Sequence, residues 1–135
     1  MIPHTHISVE EAEGEQLNGL GMMMRQYLEQ NLEDFQYKVR EGLRIQCRVS
    51  VEVERGISVT TTFLGERIIL ENGVAEGLDL YLKSSYLLLT KVLSGKANPL
   101  WELLKGNIKL GAWPRRPIQA LRVLRFLKIP KELLL

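Results

Sequence analysis

Cysteine is almost absent from this 135-residue chain. Cys47 stands alone, so no internal disulfide can brace the fold, and a reducing, cytoplasmic setting is expected. Histidine is nearly as scarce. His4 and His6 flank Thr5 without a Cys or carboxylate at ligand spacing, which argues against a metal site and leaves no cofactor implied. Long apolar runs are missing too: the longest covers residues 86–89, four residues against the ~20 that cross a bilayer. The first twenty residues carry Glu10, Glu11, Glu13 and Glu15 and no Lys or Arg, so a secretory signal is not expected. With 45% hydrophobic and 25% charged residues, the chain has the composition of one globular domain rather than of a disordered segment.

Charge is split along the chain. Residues 1–90 hold 8 basic and 14 acidic residues, a net of −6, whereas residues 91–135 hold 10 basic residues against Glu102 and Glu132, a net of +8. A basic C-terminal third is attracted to anionic partners, a membrane surface or a nucleic acid, unless folding neutralises it. No nucleic-acid recognition motif accompanies it, so nucleic acid is not expected.

Residues 1–15 show no sustained period and read as a loosely held leader, with a single domain over 16–135. From about Gln16, Leu17, Leu20, Met24, Tyr27 or Leu28, and Leu32 recur at three- and four-residue steps, the spacing of one helical face; Gly19 and Gly21 weaken its start. The helix bends over 31–42 and is expected to end at Gly42. Residues 43–54 then alternate strictly, with Leu43, Ile45, Cys47, Val49, Val51 and Val53 on one side, which predicts a half-buried strand and makes Cys47 a core residue. Arg55-Gly56 turns the chain into a second alternating strand carrying Ile57, Val59, Thr61 and Phe63, with strands over 67–71 and 78–82 following. Helical spacing returns after Ser84-Ser85 and stops at Gly95; Asn98-Pro99 opens a short helix to Gly106; residues 108–110 form a short strand; and a last helix runs over 117–128. The pattern predicts an α+β fold, a five-stranded, mostly antiparallel sheet covered by helices on one face and wet on the other.

Catalytic constellations are hard to find. Gly-x-Ser-x-Gly is absent around Ser84-Ser85, and Ser94-Gly95-Lys96 fails the phosphate-loop pattern because Thr90 and Ala97 occupy its glycine and hydroxyl positions. Glu52, Glu54, Glu66 and Glu71 read as solvated positions of a half-wet sheet, so an enzyme is not expected. Apolar helix remains in excess. Met22 to Met24, Tyr27, the leucines of 86–93, Leu100, Trp101 and Leu104 suit either plain packing or a pocket for a loosely specified hydrophobic ligand. On the last helix Ala120, Val123, Leu124, Phe126 and Leu127 share one face, with Arg122 and Arg125 opposite, the pattern of a core helix, a lid or an interfacial helix.

Two segments carry a resemblance: Ser94-Gly95-Lys96-Ala97-Asn98-Pro99-Leu100-Trp101, then Lys105-Gly106-Asn107-Ile108-Lys109-Leu110-Gly111. In order and spacing they are similar to the signature of the sterol carrier protein type-2 family, the non-specific lipid-transfer proteins. The likeness covers about 57–111, extends more weakly over 43–54 and does not reach the segment before 16. Asn107 stands where the family has lysine, and 112–117 departs from its pattern. The resemblance implies non-catalytic binding, and transfer, of a lipid, fatty acyl or sterol-like ligand in an apolar tunnel between sheet and helices. The expected lining is Met24, Tyr27 and Leu28 from the first helix, Val59 and Phe63 from the sheet, Leu89 and Leu93, Leu100, Trp101 and Leu104 from the middle helices, and Phe126 and Leu127 from the last. Arg115, Arg116, Arg122, Arg125 and Lys128 are expected to contact an anionic membrane or a partner. An alternative is an accessory protein of a lipid or quinone biosynthetic assembly, docking through its basic last helix. The chain ends Leu133-Leu134-Leu135 rather than Ser-Lys-Leu, so peroxisomal delivery is not expected.

Overall fold

The computed structural model describes residues 6–14 and 16–128. The chain runs through strand β1 (Ser8–Glu11), helices α1 (Gly19–Asp34) and α2 (Tyr37–Leu43), strands β2 (Gln46–Glu52), β3 (Ser58–Leu64), β4 (Arg67–Asn72) and β5 (Leu80–Lys83), helices α3 (Tyr86–Leu93) and α4 (Pro99–Lys105), strand β6 (Lys109–Leu110) and helix α5 (Pro117–Leu127).

The sheet is six-stranded and mixed, in the order β1-β4-β3-β2-β5-β6, which corrects the expected five mostly antiparallel strands. Two features account for the difference. Residues 8–11, Ser-Val-Glu-Glu, too few to show a period, form an edge strand parallel to β4. Arg67 holds this strand by two bonds to the Glu10 carboxylate, at 2.9 and 3.1 Å, and Arg25 reaches Glu11 at 2.7 Å. The second feature is that β5 does not continue the meander beside β4. The chain over residues 73–79 crosses the open face and returns to lie parallel to β2.

That crossing is built from specific bonds. Thr60 Oγ1 donates to the Gly73 carbonyl at 2.8 Å and accepts from the Ala75 amide, Arg48 donates to the Glu76 carbonyl, and the Asp79 carboxylate accepts from the Arg48 amide. The face expected to be wet is therefore covered at its centre: Ser50 and Thr60 are fully buried there. Around them Arg48 bonds Thr62 and Tyr81 bonds Glu52 at 2.9 Å. The Glu52 carboxylate accepts the phenolic proton and holds the Tyr81 pKa above its ordinary value.

Local signals place the helices. Asn18 caps α1, its side-chain oxygen accepting from the Gly21 amide, while its amide group bonds the Ser58 carbonyl and ties the helix start to the sheet. The predicted bend is a break between α1 and α2, at Phe35 and Gln36. Gly42 does not cap α2; it makes room, since a Cβ there would stand 2.6 Å from Ile7 Cδ1 and 3.1 Å from the Phe126 ring. Leu43 accordingly belongs to helix rather than strand. Ser85 caps α3, Asn98 caps α4 with Pro99 in its first turn, and Gly95 and Gly106 take the left-handed conformation that favours glycine.

Candidate functional site

All the helices packed on the sheet use one face of it. Cys47, Val49 and Val51 of β2, Val59 and Phe63 of β3, Ile68 and Leu70 of β4, and Leu80 and Leu82 of β5 form an apolar floor. Leu20, Met24 and Leu28 of α1, Val39 of α2, Leu89, Val92 and Leu93 of α3, and Ala120, Val123, Leu124 and Phe126 of α5 form the roof. Phe63 and Phe126 meet edge to face with ring centroids 5.8 Å apart, so floor and roof touch through aromatic carbon.

Of the twelve expected lining residues, Met24, Leu28, Val59, Phe63, Leu89, Leu93 and Phe126 come together in this layer and are buried. Tyr27, Leu100 and Leu127 stand half-buried at its rim. Trp101 and Leu104 are not in the layer: on α4 they are 59% and 78% exposed. Apart from Pro99, no residue of this apolar helix is buried, and its turn packs against α5.

Polar groups within the layer are few. Asn31 of α1 is buried and donates to the Leu93 carbonyl of α3 at 3.2 Å. Thr61 alternates with Val59 and Phe63 toward the helices and is 2% exposed, and its hydroxyl has no hydrogen-bond partner among the described residues. Burial first, and the nearby Asp79 carboxylate second, push the Cys47 thiol up to about 11, so it is protonated at neutral pH and packs as a small apolar group.

Two clefts in the helical cover share Tyr86. One, of about 330 Å³, lies between α1 and α3 and is lined by Met23, Gln26, Tyr27, Gln30, Tyr86 and Thr90. The other, of about 370 Å³, runs beside Leu20, Ile57 and Ser58. Sequence periodicity leaves Met23 off the apolar face of its helix, puts Ile57 and Tyr86 at the starts of their elements, and gives no signal that the three border neighbouring openings. Glu54 accepts from the Tyr86 amide at 2.8 Å and so fixes the start of α3 there.

The basic residues divide into two groups. Arg115 and Arg116 lie in the connector before α5, beside Asp79: the Arg115 amide bonds its carbonyl and the Arg116 guanidinium stands 4.0 Å from its carboxylate. Arg122 and Arg125 are exposed on α5, facing Arg40 of α2 and Arg44 at its C-cap across a cleft of about 360 Å³. Lys128 is exposed at the end of α5. Arg40 and Arg44 were not separable in the sequence from an ordinary solvated helix face. Of the two histidines, His6 is exposed and His4 lies outside the described residues. Among the described residues no group of three His, Cys, Asp or Glu side chains is placed to hold a metal ion, and no helix is long and apolar enough to cross a membrane.

No protein-family model and no curated protein sequence matches this chain. Solved structures do. The chain is similar to a crystal structure of sterol carrier protein 2, with a TM-score of 0.59 and 14% identity over 82% of this chain and 95% of that one. Sterol carrier protein 2 from Yarrowia lipolytica in its apo form superposes with a TM-score of 0.54 and 14% identity, covering 83% of this chain and 93% of that one. A ubiquinone synthesis protein, UbiJ-SCP2, gives a TM-score of 0.53 and 14% identity over 81% and 87% of the two chains. The fold of this chain is that of sterol carrier protein 2.

Proposed function

We propose, from the premise that this chain has the sterol carrier protein 2 fold, that it binds a lipid, fatty acyl or sterol-like ligand without chemical conversion and passes it between apolar environments. The observation that carries this reading is the continuous apolar layer between sheet and helices, with the Thr61 hydroxyl unpartnered on its floor. A ligand tail would part the roof from the floor along Met24, Leu28, Phe63, Leu93 and Phe126, and its polar atom would satisfy Thr61. The half-buried rim residues Tyr27, Leu100 and Leu127, with α4 held by so little burial, make the α1–α3 cleft and the α4 side the places where the cover opens. Trp101 and Leu104 would close on the ligand as α4 moves inward.

The magnitudes permit this. Burying an acyl chain of about sixteen carbons gains on the order of 12 kcal/mol gross, and association and ordering cost roughly 4–15 kcal/mol, so micromolar and tolerant binding is expected. Displacement of a fluorescent fatty acid tests the reading: saturable uptake, weakened by Phe63→Trp or Leu93→Trp fillings that leave the protein folded, is expected. Absence of saturable uptake would remove it.

A second reading rests on a separate observation. Trp101 and Leu104 of α4 and Ile118 and Leu121 of α5 expose large apolar surface on two helices in contact, next to basic α5. Such a surface fits an accessory role within a lipid or quinone biosynthetic assembly, and UbiJ-SCP2, which shares the fold, is a ubiquinone synthesis protein. It predicts stable association with an enzyme of that assembly that an Arg122→Glu, Arg125→Glu double change abolishes while leaving fatty acid uptake intact.

A further inference from the structure

The cleft between α2 and α5 gathers more positive charge than its surroundings offset. Arg40 lies in the last turn of α2 and Arg44 caps its end, while Arg122 and Arg125 stand one turn apart on α5, so each wall presents a pair of guanidinium groups. Tyr37 and Glu41 complete the lining, and Glu41 is the cleft's one carboxylate, leaving it with a formal charge of +3. Three arginines elsewhere are neutralised, Arg25 by Glu11 and Glu29, Arg67 by Glu10 and Arg116 by Asp79, and Arg48, Arg55 and Arg115, without an ion pair among the described residues, do not share a cleft with one another. Arg40, Arg44 and Arg125 make no ion pair among the described residues, and Arg122 spends one donor on the Arg44 carbonyl at 3.2 Å. That bond crosses from one helix to the other and holds the two pairs in register.

We infer that this cleft is a binding site for a phosphate-bearing anion, of the size of a diphosphate or a phosphate monoester headgroup. Four like charges brought to one concavity repel one another until an anion occupies it. The guanidinium fork matches two oxygens of a phosphate at once, which a cluster of lysines would not do, and two forks on each wall suit adjacent phosphoryl groups. A volume of about 360 Å³ is at the small end for ligand pockets, right for a headgroup or an inorganic anion and small for a macromolecular chain. The inner sides of the same helices contribute Val39, Val123 and Phe126 to the apolar layer, so an anion fixed here is also placed at the edge of that layer. The site stands on its own charges and does not depend on the carrier reading.

Calorimetric titration of the full chain with inorganic diphosphate at low salt tests the site. Saturable binding is expected, weakened at least ~tenfold in the Arg40→Gln, Arg44→Gln variant. It should be unchanged in Arg55→Gln, Lys109→Gln, which removes the same charge elsewhere. No saturable diphosphate binding, or equal weakening in both variants, would overturn the inference. A second arm separates the sources of the anion. If a lipid headgroup is the occupant, short-chain phosphatidic acid below its micellar concentration binds at least ~tenfold more tightly than the diacylglycerol of the same chains, and the Arg40→Gln, Arg44→Gln change erases that preference. Diphosphate binding with no such preference assigns the site to a soluble phosphate. Uptake of neutral lipid in this arm reports on the carrier function alone, so failure of that reading and failure of the anion site are distinguishable.

Discussion

Lys38, on α2, is 1% exposed, and its ammonium donates to the main-chain carbonyls of Phe126 and Lys128 at the end of α5, the second at 2.8 Å. The last carbonyls of a helix have no intrahelical donor, and the negative end of the helix dipole favours a cation. Lys38 supplies both from a position 88 residues away in sequence, and its Nζ stands over the Phe126 ring, 5.1 Å from the centroid. It latches the last helix onto the domain. Replacing it by methionine keeps the stem and removes the donors, so Lys38→Met should lower stability by about 2 kcal/mol in urea unfolding. Amide exchange over Pro117–Leu127 should quicken before exchange elsewhere.

The same latch gives a pH dependence of definite sign. Burial lowers the Lys38 pKa from its ordinary 10.5 to about 8, against the opposing pull of Glu41. Between those values the unfolded chain binds more protons than the folded one, so this group makes stability rise as pH rises from about 8 to 10.5. Urea midpoints of the wild type and Lys38→Met over that range should show the rise in the wild type alone.

The edge strand β1 depends on an exposed pair. Bonds from Arg67 first, and from Ser8 second, hold the Glu10 carboxyl down at about 2. A depressed carboxyl contributes to folding above its ordinary pKa of 4.5 and loses that contribution as pH falls toward 2. The NMR titration of Glu10 should therefore move up toward the ordinary carboxylate range in Arg67→Gln, with the Ser8 bond retained, and amide exchange at residues 8–11 should quicken.

Two glycines should respond oppositely to alanine. A Cβ at Gly42 meets Ile7 at 2.6 Å and the Phe126 ring at 3.1 Å, so Gly42→Ala should cost ~1–3 kcal/mol through overpacking. A Cβ at Gly19 meets nothing within 4 Å, and Gly19→Ala, at the first residue of α1, should be neutral or slightly stabilising. Thermal unfolding of the two variants decides between them.

Legibility in the sequence followed the range of the interactions. The Gly95, Asn98-Pro99 and Gly106 pattern was readable because each residue acts within its own turn: a positive φ, a side-chain cap, a positive φ. Gly111 closes the same motif for a longer-range reason, since a Cβ there would lie 2.8 Å from the Tyr81 ring on the neighbouring strand β5. Strand β1 was not readable because four residues show no period and its partners, Arg67 and Arg25, come from distant elements. The parallel pairing of β2 with β5 escaped for a related reason: successive alternating segments look alike whether they form a meander or cross over. Of the candidate site, the apolar layer was legible through its periodicity, and the exposure of Trp101 and Leu104 was not, because α4 is apolar on more sides than its neighbours cover. The arginine cleft and the Lys38 latch exist only through the packing of α2 on α5.

The most direct test is isothermal calorimetry of the full chain with a ~sixteen-carbon fatty acid below its micellar concentration, repeated at several temperatures. The account predicts saturable binding of one ligand per chain with a negative heat-capacity change, the mark of apolar surface leaving water for the layer between sheet and helices. Heats that never saturate, or binding with no change in heat capacity, would contradict it.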